Sequence, residues 1–262
     1  MLDTKIIVTT SQRPSDECVK LAHVAAERLG GVFVQRAKMS LAKIRDEYGV
    51  PFVVVAKSGE LVLDSDDGEF FFHPSMAHVR IKNLRHGASD HLIEALGAER
   101  GMSILDCTLG LGSDAIVESF SVGEMGHVVG LEASPVIFGV VRFGLAHYAG
   151  ENDAVTSAMR RVEVVHADYM DYLASLPDDS FDAVYFDPMF RHPLTKSASM
   201  HPLRAFADMR PLSHEAVREA LRVARHRVVM KENSMSREFE RLGFAEFVGG
   251  KYSKIRFGVM RK

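Results

Sequence analysis

The stretch Ile104-Leu105-Asp106-Cys107-Thr108-Leu109-Gly110-Leu111-Gly112-Ser113-Asp114-Ala115 decides the fold. An apolar strand runs into a glycine-rich turn, and the turn opens a helix. Glycine lets a backbone turn tightly and come close to a ligand, and the start of the following helix presents unpaired N–H groups. Such a turn is a candidate nucleotide cradle. Gly110-x-Gly112-x-x-Ala115 also satisfies the dinucleotide fingerprint, with Glu132 about 20 residues on as ribose ligand. A structural turn without a ligand is the third reading. Two features favour a methionine-bearing nucleoside, S-adenosylmethionine. Asp106 stands before the glycines at the strand end, where a carboxylate can hold an ammonium group, and a second acidic and aromatic motif lies downstream.

Outward from the cradle, Val128 to Leu131 is a second strand with Glu132 at its end, and a carboxylate offers two acceptor oxygens to the ribose hydroxyls. Val162 to His166 is a third strand. It is followed by Asp168, a candidate acceptor for the adenine amino group, with Tyr169 packing nearby. An aspartate after a strand is also a common helix cap. A fourth strand, Ala183 to Phe186, leads into Asp187-Pro188-Met189-Phe190. Ligands in open α/β sheets lie outside the carboxyl ends of the strands, so Asp187 belongs at the ligand edge with Asp106 and Glu132. Asp187 and nearby carbonyls are acceptors suited to orienting an exocyclic base amine, Pro188 fixes the backbone, and Phe190 offers a stacking face. Asp187, Pro188 and Phe190 are therefore the candidate catalytic residues. The loop from Arg191 to Ser197, with Arg191 and Lys196, is a candidate phosphate contact.

Strand and helix candidates alternate from Asp90 onward, through a helix near Pro135–Tyr148 and another near His214–Ala224, to Arg227–Lys231. A last strand pair, Glu246–Val248 and Ile255–Met260, reads as an edge hairpin. Seven strand candidates separated by helices predict a doubly wound, mainly parallel α/β sheet of Rossmann-like form. The first stretch reads as a small α/β domain, with a strand at Lys5–Thr10, a helix opened by Pro14, and strands at Phe52–Ala56, Leu61–Leu63 and Glu69–His73. The change of rhythm places the domains at 1–87 and 88–262.

The 262 residues, 47% of them hydrophobic, suit an ordinary globular protein with a real core. No apolar run is long enough for a membrane span, no secretory signal is evident, and two cysteines, Cys18 and Cys107, fit a reduced cytoplasmic setting. A net charge of −3 argues against a surface coated in positive charge, not against a local basic patch.

Asp106-x-Thr108-x-Gly110-Leu111-Gly112-x-Asp114-Ala115 together with Asp187-Pro188-Met189-Phe190 resembles the bacterial family of small-subunit ribosomal RNA guanine-N2 methyltransferases known as RsmJ. His73-Pro74-Ser75-Met76-Ala77-His78 with the basic Arg80-Ile81-Lys82, and Arg227-Val228-Val229-Met230-Lys231, resemble that family's corresponding segments. The likeness covers roughly residues 70 to 235. It implies cofactor contacts by Ser113 and Asp114, by Glu132 and Ala133, by Asp168 and Tyr169, and by Asp187. It also implies an RNA substrate, held in part by the N-terminal domain with Arg80, Lys82 and Arg85. The chain departs from the family at Ser113, where the family has arginine, and at Ala133-Ser134, where it has Arg-Asn.

Other residues are discounted. His73 with His78, and His86 with His91, lack helical i, i+4 spacing and a cysteine partner, so no metal is expected. Cys107 reads as a small buried residue, and Arg218, Arg222, Arg225, His226 and Arg227 as a solvated face. The rival functions are a non-catalytic RNA-binding protein on the same fold, a small-molecule or protein methyltransferase, and a NAD-dependent oxidoreductase. Oligomeric state is left open.

Overall fold

The computed structural model describes residues 5–74, 76–150, 152–188, 208–250 and 253–262. The chain folds as two compact units. The first holds the described residues up to His73 and the segment Ser134–Tyr148; the second holds Pro74–Ala133 and the other described residues from Ala149 onward.

The first unit begins with β1 (Ile7–Thr10), α1 (Asp16–Arg28), β2 (Val32–Phe33) and α2 (Leu41–Tyr48). It continues with β3 (Phe52–Lys57), β4 (Glu60–Ser65) and β5 (Gly68–Phe71). The strand order is β2-β1-β3-β4-β5. β1 runs parallel to both its neighbours, while β3, β4 and β5 form an antiparallel meander. Ser15 and Ser40 start the two helices by accepting from the N–H groups of Cys18 and Lys43, which satisfies donors left bare by the helix geometry. β1 is buried along its whole length. Ile7, Ile44, Val53 and Val55 make the apolar centre on one side of the sheet.

The second unit starts with α3 (Met76–Arg85), α4 (His91–Leu96), β6 (Ser103–Asp106), α5 (Ser113–Val122) and β7 (His127–Glu132). After Ala133 the chain contributes α6 (Pro135–His147) to the first unit, where it packs on β4. It then resumes with α7 (Asp153–Arg161), β8 (Val162–His166), α8 (Tyr169–Ser175) and β9 (Phe181–Phe186). The remaining elements are α9 (His214–Val223), β10 (Ala224–Asn233), α10 (Glu238–Leu242), β11 (Glu246–Val248) and β12 (Ile255–Arg261). The seven strands lie in the order β11-β12-β10-β9-β6-β7-β8. β10, β9, β6, β7 and β8 are parallel, and β12 and β11 close one edge antiparallel. This is the doubly wound, mainly parallel sheet that the alternation predicts, with the last two strands as the edge hairpin.

Central strands in such a sheet are covered on both faces and need apolar residues at successive positions. Ala183 to Phe186 are all fully buried, and full burial of one large apolar side chain contributes about 1.5–3 kcal/mol. One core of this unit joins Leu105, Leu131, Val184 and Phe186 to Val217, Ala220, Phe239 and Phe244.

The sequence rhythm puts the boundary at 87/88, whereas the compact units part at His73 and Pro74. The physical reason is α3. It packs against α5, and its Arg80 is bonded to Asp90 and Asp114. Among the described residues no helix is long and apolar enough to cross a membrane.

Candidate active site

β6 delivers Asp106 to the strand end with 1% of its surface exposed. Its Oδ1 accepts from the Thr108 N–H at 3.0 Å, which starts the turn. Leu109 N–H then donates to Leu131 O at 2.9 Å and fastens the loop to β7. Gly110 and Gly112 have φ of 50° and 75°, a left-handed conformation that residues with a Cβ rarely take. Gly112 opens α5 without a side-chain cap, so the first N–H groups of that helix face the loop. A Cβ added at Gly110 would meet nothing nearer than Thr108 O at 3.8 Å; the wall of the turn is open there.

Burial pushes the Asp106 carboxyl up to about 8. Asp114 and Asp187 push the same way, and Lys231 offsets them only in part. A buried carboxylate with such a charge deficit fits an incoming ammonium group. Register then sets the neighbours: Asp106 lies beside Gly130 of β7 and Tyr185 of β9. Glu132 and Asp187, each two residues farther on, project beyond the same strand-end row.

Glu132 is 8% exposed, and its carbonyl accepts from Ala167 N–H. His166 Nε2 lies 3.1 Å from Ala133 O. Asp168 has a structural job: it caps α8 by accepting from Met170 N–H at 2.8 Å. Its other oxygen pairs with Arg210, a residue that the motif reading missed. The Arg210 guanidinium lies 5.9 Å over the Tyr169 ring, and Tyr169 meets Phe186 edge-on at 5.7 Å. Both readings of Asp168, cap and ligand edge, are therefore compatible with its place.

The reaction-centre motif sits in a polar network inside the unit. Thr108 Oγ1 accepts from the Asp187 N–H at 2.6 Å. Lys231 Nζ donates to Asp187 Oδ2 at 2.7 Å and to Asp114 Oδ2 at 2.9 Å. Tyr185 OH donates to Asp114 Oδ2 at 2.9 Å, and Arg80 bridges Asp114 to Asp90. Burial alone would lift the Asp114 carboxyl, but Lys231 and Arg80 outweigh it and hold it well below the usual range. Burial likewise works against the Lys231 ammonium, and Asp114 and Asp187 overcome it and raise its pKa. Asp187 is raised by burial despite Lys231.

Asp106, Gly110, Gly112, Ser113, Glu132, Ala133 and Asp187 are thus gathered at one end of the sheet, with Pro188 half-buried beside Asp187. The Asp114 carboxylate faces inward and is committed to Arg80, Lys231 and Tyr185, which leaves its backbone for ligand contact. Phe190, with Met189, Arg191 and Lys196, lies outside the described residues. Arg80 is engaged internally rather than presented to RNA. Lys231 was missed as a site residue, although a lysine ending the apolar run Val228-Val229-Met230 was its signal. Register places Met230 beside Phe186, so Lys231 is next to Asp187.

Of the discounted residues, Arg227 does not lie on a solvated face: it is partly buried and donates to Ala95 O at 3.1 Å. Cys107 is buried, and burial raises its thiol. Arg218, Arg222 and Arg225 pair with nearby acids. Among the described residues no group of three or more His, Cys, Asp or Glu is placed to hold a metal ion.

A glycine cradle at the first parallel strand of the second unit, with acids at the neighbouring strand ends, is the arrangement of a nucleoside-binding α/β enzyme. A family model described as "Putative SAM-dependent methyltransferase" matches residues 25–259, and the chain belongs to that family. It is 36% identical over 255 residues to the Bacillus subtilis protein YpiP, covering 97% of this chain and 99% of that one. Ribosomal RNA small subunit methyltransferase J of Shewanella loihica is 26% identical over 227 residues, 80% of this chain and 86% of the relative. A SAM-dependent methyltransferase from Neisseria gonorrhoeae shares the fold, with a TM-score of 0.64 at 16% identity, over 97% of this chain and 95% of that one. The protein is an RsmJ-like class I methyltransferase, and S-adenosylmethionine is its cofactor.

Proposed function

We propose that the enzyme methylates an exocyclic base amine, the N2 of a guanine, in small-subunit ribosomal RNA. One observation carries the reading: Asp187 stands two residues beyond the rung shared by Asp106 and Tyr185, beside the cofactor cradle, with its carboxylate held by Lys231. The similarity to ribosomal RNA small subunit methyltransferase J proteins supports the RNA.

In this reading Asp106 holds the methionine ammonium, Glu132 the ribose hydroxyls and Asp168 the adenine edge. Bound S-adenosylmethionine supplies an electrophilic methyl group on a good leaving group. The work left to the protein is positioning. Asp187 accepts an N–H of the amine and so turns its lone pair toward the methyl carbon. Asp187, whose pKa burial raises, would take the proton that the amine gives up on methylation more readily than an ordinary aspartate. Lys231 and the Thr108 hydroxyl keep Asp187 in place.

The test is methyl transfer from labelled S-adenosylmethionine to small ribosomal subunits lacking the modification, with nucleoside mass spectrometry of the digested RNA. N2-methylguanosine, absent with the Asp187→Ala protein, is the expected product. Labelled protein or small molecules with unlabelled RNA would overturn the reading.

A further inference from the structure

A groove of about 680 Å³ lies within the second unit, away from the strand ends. It is lined by Arg85 at the end of α3, Arg100 before β6, Phe120 on α5, and Asp153, Ser157 and Arg161 on α7. The last three recur every four residues and so share one helix face. Phe120 is seven residues past Ser113, which sets the groove about 10 Å along α5 from the cradle.

The three arginines come from different elements, and one of them is bonded to α5. The Arg100 guanidinium rests against Gly123, where a Cβ would lie 2.3 Å from its Nη1. Arg161 Nη2 donates to Ser119 O at 3.1 Å, while its buried Nε–H has no hydrogen-bond partner. None of the three forms an ion pair among the described residues, although Glu124 and Asp153 line the same groove. In the same unit Arg80, Arg222, Arg225, Arg241 and Arg261 each pair with an acid. An unpaired guanidinium fork matches two phosphate oxygens at once. The partly exposed Phe120 ring suits base stacking. Glu124 and Asp153 offer acceptors to ribose 2′-hydroxyls, the groups that separate RNA from DNA.

We propose that this groove binds the phosphodiester backbone of the RNA substrate outside the reaction centre, through Arg85, Arg100 and Arg161. The proposal rests on the RNA reading above. Contacts of this kind fix the register of the substrate and do not choose the base.

The test is fluorescence anisotropy with a labelled fragment of small-subunit ribosomal RNA across a salt series, for the native chain, Arg85→Glu and Arg100→Glu. Each reversal is expected to weaken binding about five- to tenfold and to flatten the slope of log affinity against log salt by roughly one unit. S-adenosylmethionine binding, measured by calorimetry, stays unchanged and shows that the cradle is intact. DNA of the same sequence binds more weakly. If the native chain binds RNA and both variants match it in affinity and slope, the groove proposal falls and the RNA reading stands. If the native chain binds no RNA, both fall. Tripolyphosphate bound by the native chain and lost in the variants, with RNA ignored, would make this a small-anion site and overturn the proposal.

Discussion

Lys231 Nζ lies 2.7 Å from Asp187 Oδ2, and the same ammonium holds Asp114 at 2.9 Å. One cation on β10 therefore ties the candidate reaction-centre carboxylate to the helix that opens from the glycine turn. Removing it would leave two largely buried carboxylates facing each other.

Lys231→Met should cost about 3–5 kcal/mol, the usual loss when one partner of a buried ion pair is deleted. Thermal unfolding should fall by about 2–4 °C for each kcal/mol in a protein of this size. Lys231→Arg keeps the charge and most of the stability but displaces Asp187, so kcat should drop while cofactor affinity changes little. A wild-type kcat in Lys231→Arg would detach the lysine from positioning Asp187.

Asp187→Ala and Asp187→Asn should lower single-turnover methyl transfer by about 10²- to 10³-fold, in the range for loss of a positioned proton acceptor. Calorimetric affinity for S-adenosylmethionine should stay within a few-fold. Equal losses in both measurements would make Asp187 a binding residue only.

Asp106 gives a pH signature. Its folded pKa of about 8 lies above the ordinary aspartate value, so the free enzyme takes up a proton there that the unfolded chain lacks. Its contribution to stability is fully present below about pH 4 and is lost as pH rises to about 8. Pairing with an ammonium requires the ionised form. Binding of S-adenosylmethionine at pH 7 should release close to one proton, and affinity should climb up to tenfold per pH unit before levelling near pH 8. Calorimetry in buffers of different ionisation enthalpy counts that proton; a count of zero at pH 7, or unchanged behaviour in Asp106→Asn, would remove Asp106 from the ammonium site.

Asp168 separates its two roles by substitution. Asp168→Ser keeps an N-cap oxygen for Met170 N–H, whereas Asp168→Ala loses it at about 1 kcal/mol. If the carboxylate also meets adenine, both variants should weaken cofactor binding about tenfold; both lose the exposed pair with Arg210, and the alanine variant should lose the cap's stability in addition. Full cofactor affinity in Asp168→Ser would leave Asp168 as a cap alone.

Glu118 is fully buried on α5, with neither carboxylate oxygen hydrogen-bonded. Burial, then Asp106 and Asp114, raise its pKa well above the ordinary value. A buried polar group without partners costs about 1–3 kcal/mol. Glu118→Leu should recover an amount of that order in denaturant titration, and a loss of stability would show that the carboxyl has a task.

Much of this was legible because the strands of a parallel sheet must be apolar along their length. Val162–His166 and the pair ending the chain stand where the sequence puts them. α3, α7, α8 and α10 were not seen. Their buried apolar positions are few, as Val155, Ala158 and Met159 show for α7, and tertiary packing rather than periodicity stabilises them. The commitment of Asp114 to Arg80 and Lys231 was equally hidden, since residues 34 and 117 positions away meet only after folding. The acids at the strand ends were readable because strand termini fix their location in advance, whereas the cations that hold them come from other elements.

The polar interior has a lopsided charge inventory. Among the described residues Asp90, Asp114 and Asp187 bond to Arg80 and Lys231, and Asp106, close enough to feel the same charges, adds a further negative charge when it ionises. A pocket so short of positive charge grips a ligand carrying both a sulfonium and an ammonium more firmly than the uncharged thioether left after transfer. Product discharge thereby becomes an electrostatic consequence of the chemistry itself, and the spent molecule should be the weaker competitor for the site.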